Sequence, residues 1–136
     1  MALVNLAPMH GAQTVDFAHG RLAARATLTV NGVLVCAHEP AFIDVGVDAT
    51  TISEGLVGQI PWDDEITLDG TAGLQPSYIY RDCSVLIDGF DAPLALEIHT
   101  RPRLAARIHI LIGRGLLRHC RLVVDPPAQI YTLEKK

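Results

Sequence analysis

From Leu22 to Val30 the chain alternates. Leu22, Ala24, Ala26, Leu28 and Val30 are apolar, and Arg25, Thr27, Thr29 and Asn31 lie between them. A period of two is the pattern of a half-buried strand, because successive side chains point to opposite faces. Asn31-Gly32 follows at once. That dipeptide suits a type I′ turn, whose two central residues both need positive φ. Val33–Cys36 then reads as the return strand of a hairpin, buried more completely.

Further short strands are predicted over Phe42–Val47, Thr51–Ile60, Ile66–Leu68, Tyr78–Ile87 and Leu94–His99. Each is bounded by Gly, Pro or an Asp-Gly turn, at spacings near ten residues. Gly55 and Gly58 suggest a bulge or a close backbone approach within the second of these. In Arg103–Ile112, alternation places Leu104, Ala106, Ile108, Ile110 and Ile112 on one face, and the β-branched isoleucines favour strand. A second hairpin through Gly113-Arg114-Gly115 is expected, with a short basic helix over 116–124 as its rival. Arg21–Arg25 and Arg103–Arg107 share five residues, too few to establish a repeat.

The expectation is an all-β fold, a sandwich or small barrel of about eight short antiparallel strands. Residues 1–20 read as an N-terminal arm and residues 21–136 as a single β domain. No linker or low-complexity block divides the chain.

Composition adds a second expectation. Hydrophobic residues make up 49% of the 136 residues and charged residues only 19%, with a mean hydropathy of +0.27. Average soluble domains carry about 25% charge. Intrinsic disorder is excluded, since disordered chains are charged and poor in aliphatics. A spanning helix needs roughly 20 consecutive apolar residues, and Gly, Pro or charge interrupts every longer stretch. The start of the chain lacks the basic flank of a signal peptide. A soluble product made in the cytoplasm is therefore expected. A small chain with a thin polar coat tolerates its apolar surface or covers it with partners. A homo-oligomer or a component of a larger assembly follows.

The net charge of −4 conceals an uneven layout. Between His38 and Ile98 lie twelve acidic residues and one base, Arg81. Between Thr100 and Lys136 lie eight bases and two acids, Asp125 and Glu134. The two segments either pair within one subunit or meet between subunits. Nucleic acid is disfavoured as a partner, because the domain is acidic overall and lacks any RNA- or DNA-binding motif. Arginine is enriched at protein interfaces. Arg101, Arg103, Arg107, Arg114, Arg118 and Arg121 are therefore the candidate interface residues.

Candidate chemistry is sparse. Cys36, Cys83 and Cys120 read as reduced thiols packed as small hydrophobes, with a Cys36–Cys120 disulfide as the alternative. Cys36 and His38 with His119 and Cys120 have the ligand types of tetrahedral zinc but not its closely spaced pairs. Asp63-Asp64-Glu65 with Asp69 lacks the calcium-loop pattern and reads as a solvated turn. No nucleophile elbow, phosphate loop, dinucleotide fingerprint or metalloprotease motif occurs. No catalytic residue, metal or cofactor is therefore assigned. The leading expectation is a self-assembling or decorating protein, such as a phage capsid-decoration or tail protein of the virion. Its rivals are a ligand-binding or catalytic small β-barrel protein and a zinc-bearing regulatory module.

Overall fold

A computed structural model describes residues 3–9, 21–70, 73–102, 104 and 108–136. The described residues are mostly strand, in two sheets. In chain order the elements are β1 (Leu3–Asn5), β2 (Ala7–Met9), β3 (Arg21–Val30), β4 (Val33–Ile43), β5 (Thr50–Ser53) and helix α1 (Glu54–Val57). There follow β6 (Asp64–Gly70), β7 (Gly73–Ile87), β8 (Leu94–Arg101), β9 (Ile110–Ile112), α2 (Arg114–Leu117), β10 (Cys120–Asp125) and β11 (Ile130–Lys135).

The larger sheet runs β2-β3-β4-β9-β5-β8-β7-β6. β3 also pairs with β7, from Ala26↔Ile87 to Val30↔Cys83. The hydrogen-bonded pairings therefore run in a closed circuit from β3 through β4, β9, β5, β8 and β7 back to β3. Inside this circuit lie Ala26, Leu28 and Val30 of β3, Ile52 of β5, Val85 and Ile87 of β7, Ile98 of β8, and Ile110 and Ile112 of β9. The alternation read along β3 is thus the inward face of that strand. Asn31 and Gly32 adopt φ of 48° and 81°, so the β3–β4 hairpin forms with the turn its sequence demands. The return strand is not the more buried one: Val33 and Leu34 are exposed, while Leu28 and Val30 are fully buried. The smaller sheet, β1-β11-β10, is antiparallel and packs Leu133 and Cys120 into the same core.

The expected all-β class stands, with several differences in detail. The sheet is mixed: β4 pairs with β9 and β5 with β8 in parallel. Local alternation carries no information on the direction of a distant partner. The strand expected over Thr51–Ile60 stops at Ser53 and turns into α1, where Gly55 and Gly58 punctuate a helical turn. Phe42–Val47 leaves the sheet after Ile43. The expected hairpin at Gly113-Arg114-Gly115 is absent, and the chain makes α2 there before β10. The rival helix is likewise confined to four residues, Arg114–Leu117. Of the expected arm, Leu3–Asn5 pairs with β11 and Ala7–Met9 with β3. Residues 10–20 lie outside the described residues, as do Arg103 and Arg107.

Among the described residues, no helix is long and apolar enough to cross a membrane. All three cysteines are free thiols, with Cys83 and Cys120 buried. Burial pushes the Cys83 thiol up to about 11. The two halves of the zinc reading lie on separate elements. His38, at a positive φ of 54°, turns its Nδ1 to Asp88 at 2.8 Å. His119 follows α2, and no described group of three metal-ligating side chains forms.

Candidate functional site

β4 ends on the apolar run Ala41-Phe42-Ile43, and the chain then turns sharply at Asp44-Val45-Gly46. A carboxylate two residues ahead of a glycine can fold back on its own backbone. Here the Gly46 N–H donates to Asp44 Oδ1 at 2.9 Å. A Cβ on Gly46 would stand only 3.2 Å from that oxygen, so the residue keeps the carboxylate uncrowded. The Asp44 N–H donates to the Ile112 carbonyl at 2.9 Å, so β9 holds the start of the loop.

The rest of the loop is tied to α2. The Arg114 N–H donates to the Val47 carbonyl at 2.8 Å, and the Gly115 N–H to the Asp48 carbonyl at 2.7 Å. The Gly113 N–H donates to Thr50 Oγ1 at 3.3 Å. Contact this close needs glycine. A Cβ at position 113 would lie 2.6 Å from the Ala49 carbonyl oxygen and 2.8 Å from that of Val47. Outside the backbone, the Arg114 guanidinium pairs with the Asp48 carboxylate. Asp44 is thereby presented on a loop fixed at both ends.

An open groove of about 340 Å³ begins at Gly46. The loop forms one side, and Ile66 and Leu68 of β6 the other. Between them lie Thr51, His99 and Arg101 of the paired strands β5 and β8. β6 and the outer half of β7 form a hairpin that runs out past the core, from Asp64↔Ile79 to Gly70↔Gly73. Ile66 and Leu74 on it are exposed. Trp62, just before β6, stacks on Tyr78 with ring centroids 4.1 Å apart, which braces the hairpin's base. Arg81 donates to Asp64 across the same base, and that hydrogen bond, with one from the Glu65 N–H, holds the Asp64 carboxyl below the usual carboxylate range.

The four described candidate arginines, Arg101, Arg114, Arg118 and Arg121, do not form one stripe. Arg101 is on β8 in the groove, and Arg114 pairs with Asp48. Arg118 borders a second open groove of about 380 Å³ with Glu97 and His119. Arg121 is exposed on β10, opposite Glu134. The Arg114–Asp48 pair joins the basic end of the chain to its acidic middle within one subunit.

The fold is similar to that of a retropepsin-like aspartic protease from Rickettsia conorii. Its crystal structure superposes with a TM-score of 0.60 at 14% sequence identity, over 98% of this chain and 90% of that one. No family model and no curated protein matches the sequence. The likeness concerns the fold.

Asp44 was not among the residues singled out from the sequence. Its local signal is an Asp–β-branched–Gly turn directly after an apolar strand. The second signal is Leu111-Ile112-Gly113, an apolar pair and a glycine that packs against the same loop. Each is short, and only the fold brings them together.

Proposed function

We propose that the chain is one half of an aspartic peptidase, with Asp44 as its catalytic carboxylate. The observation that carries the reading is the placing of Asp44. It lies on a loop fixed at both ends, two residues from a groove walled by an exposed hairpin, in a fold similar to a retropepsin-like aspartic protease. Aspartic peptidases need two carboxylates about 3 Å apart, which cannot both ionise and so share one proton. This loop holds one carboxylate suited to the task. Asp48, the next along, lies outside the Asp44–Gly46 turn, with its side chain 89% exposed. The second carboxylate is therefore Asp44 of another copy, across a two-fold axis. This gives the expected self-association a chemical purpose.

In the assembled pair, the ionised Asp44 takes a proton from water as its oxygen attacks the scissile carbonyl carbon. The protonated Asp44 gives its proton to the carbonyl oxygen. The C–N bond then breaks: the first carboxylate gives its proton to the leaving amine, and the second takes one back from a hydroxyl of the gem-diol as the new carboxyl forms, so the pair again shares one proton. We read the closed circuit of strands as a small barrel that supports this loop.

The test is cleavage of a peptide library by the wild-type chain and by Asp44→Asn, read by mass spectrometry alongside light scattering. Cleavage by a wild-type dimer and its loss in an equally folded, dimeric Asp44→Asn are expected. Equal cleavage by both proteins, or none by the wild type at any pH from 3 to 7, overturns the reading.

A second reading keeps the chain as a self-assembling structural protein, such as a virion component. The exposed Leu3, Val124 and Ile130 on the β1-β11-β10 sheet favour it, since they give a partner apolar surface to cover. An assembly that neither binds nor cuts peptides would support this alternative.

A further inference from the structure

We infer that Arg101 selects a glutamate side chain in the peptide that lies along the groove. The inference rests on the peptidase reading for its occupant, an extended peptide. Among the described residues β6 is the outer strand of its sheet, and the edge left unpaired there can accept such a peptide as a further strand.

The charges around the groove single out one residue. Asp48 is matched by Arg114, and Asp64 and Glu97 both face Arg81, at 2.9 and 3.8 Å. Arg101 lines the groove and has no acidic partner among the described residues. Glu65 and Asp69 alternate with Ile66 and Leu68 along β6, and so point away from the groove. Arg101 is half-buried and shares the groove lining with Val47, Ile66 and Leu68, a mixture that suits a side chain with an aliphatic stem and a terminal carboxylate. Glutamate has both, and a planar fork binds a carboxylate bidentately. Glutamine keeps the shape and loses the charge. Lysine keeps the stem and reverses it.

The experiment measures binding apart from turnover. Three ten-residue peptide libraries differ only at one central position, which holds Glu, Gln or Lys, among randomised aliphatic and aromatic neighbours. They are offered to the Asp44→Asn protein, and bound peptides are counted by mass spectrometry. Glu peptides should be enriched about tenfold over Lys peptides, near the lower end of one charge-assisted hydrogen bond, and about threefold over Gln peptides, which keep a neutral one. Arg101→Glu should reverse the order of Glu and Lys. Arg101→Met, which keeps the stem, should level it, with thermal unfolding verifying that both variants fold. Equal capture of the three libraries, no capture of any, or an unchanged order in Arg101→Glu overturns the inference. Charge-ordered capture without cleavage by the wild type would sink the peptidase reading alone. Cleavage by the wild type without charge preference would sink the selectivity alone.

Discussion

Gly113→Ala is the sharpest test of how the Asp44 loop is held. The added Cβ would lie 2.6 Å from the Ala49 carbonyl oxygen, where ordinary contact begins at 3.4 Å. Backbone must therefore move by about 0.8 Å, since both neighbours are carbonyls rather than side-chain tips. Overpacking of this kind costs about 1–3 kcal/mol. The movement also strains the bonds from Arg114 and Gly115 to the Val47 and Asp48 carbonyls, each worth about 1 kcal/mol. A loss of about 2–4 kcal/mol is expected. At about 3 °C per kcal/mol for a chain of this size, Tm should fall by roughly 6–12 °C. Urea denaturation should show a lower midpoint with an unchanged slope. Gly115→Ala is the control. Its Cβ would lie 3.3 Å from the Asp48 carbonyl, a contact relieved by a few tenths of an ångström, and it should cost under about 1 kcal/mol. If Gly113→Ala unfolds within about 0.5 kcal/mol of the wild type, the close packing of α2 against the loop is not what holds it.

Two further outcomes follow from buried polar groups. Tyr80, almost wholly buried, donates its hydroxyl to the Ile60 carbonyl at 2.7 Å. Tyr80→Phe should cost about 1–2 kcal/mol in urea unfolding, because that carbonyl loses its donor, and an unchanged midpoint would show that water replaces the bond. The Cys83 thiol is pushed up to about 11 from 9.0 by burial. The folded chain therefore keeps this proton where the unfolded chain has lost it, and stability falls as pH rises from about 9 to 11. The loss should reach at most about 2 kcal/mol and be absent in Cys83→Ala, and equal slopes for the two proteins would exclude Cys83 as its source.

The β3–β4 hairpin was legible because its information is local. Alternation from Leu22 to Val30 sets the buried face, and Asn31-Gly32 sets the turn. The segment 103–124 was harder to read. Gly113 looks like a hairpin glycine in sequence, yet its role comes from the Ala49 carbonyl, 64 positions earlier in the chain. The parallel pairings β4–β9 and β5–β8 are non-local in the same way. Asp44 escaped notice for a different physical reason. Under the peptidase reading the reacting unit holds two copies of one carboxylate, so a search of one chain for an acid–base pair finds half of it.

The division of charge into an acidic middle and a basic end does reach this loop, through Arg114 and Asp48, but it is not what fixes it. The Asp48 side chain is 89% exposed and that of Arg114 58%. Such a pair contributes about 0–1 kcal/mol, less in salt. The backbone bonds from Asp44, Arg114 and Gly115 contribute about 1 kcal/mol each and are insensitive to salt. The loop is therefore positioned by main-chain bonding and by the missing Cβ of Gly113, both indifferent to side-chain charge. That leaves the charged residues around it free to serve another purpose. Arg114 neutralises Asp48 beside the groove. With that acid matched, the charge on the groove wall without an acidic partner among the described residues is Arg101, which under the peptidase reading meets a substrate rather than holding the fold.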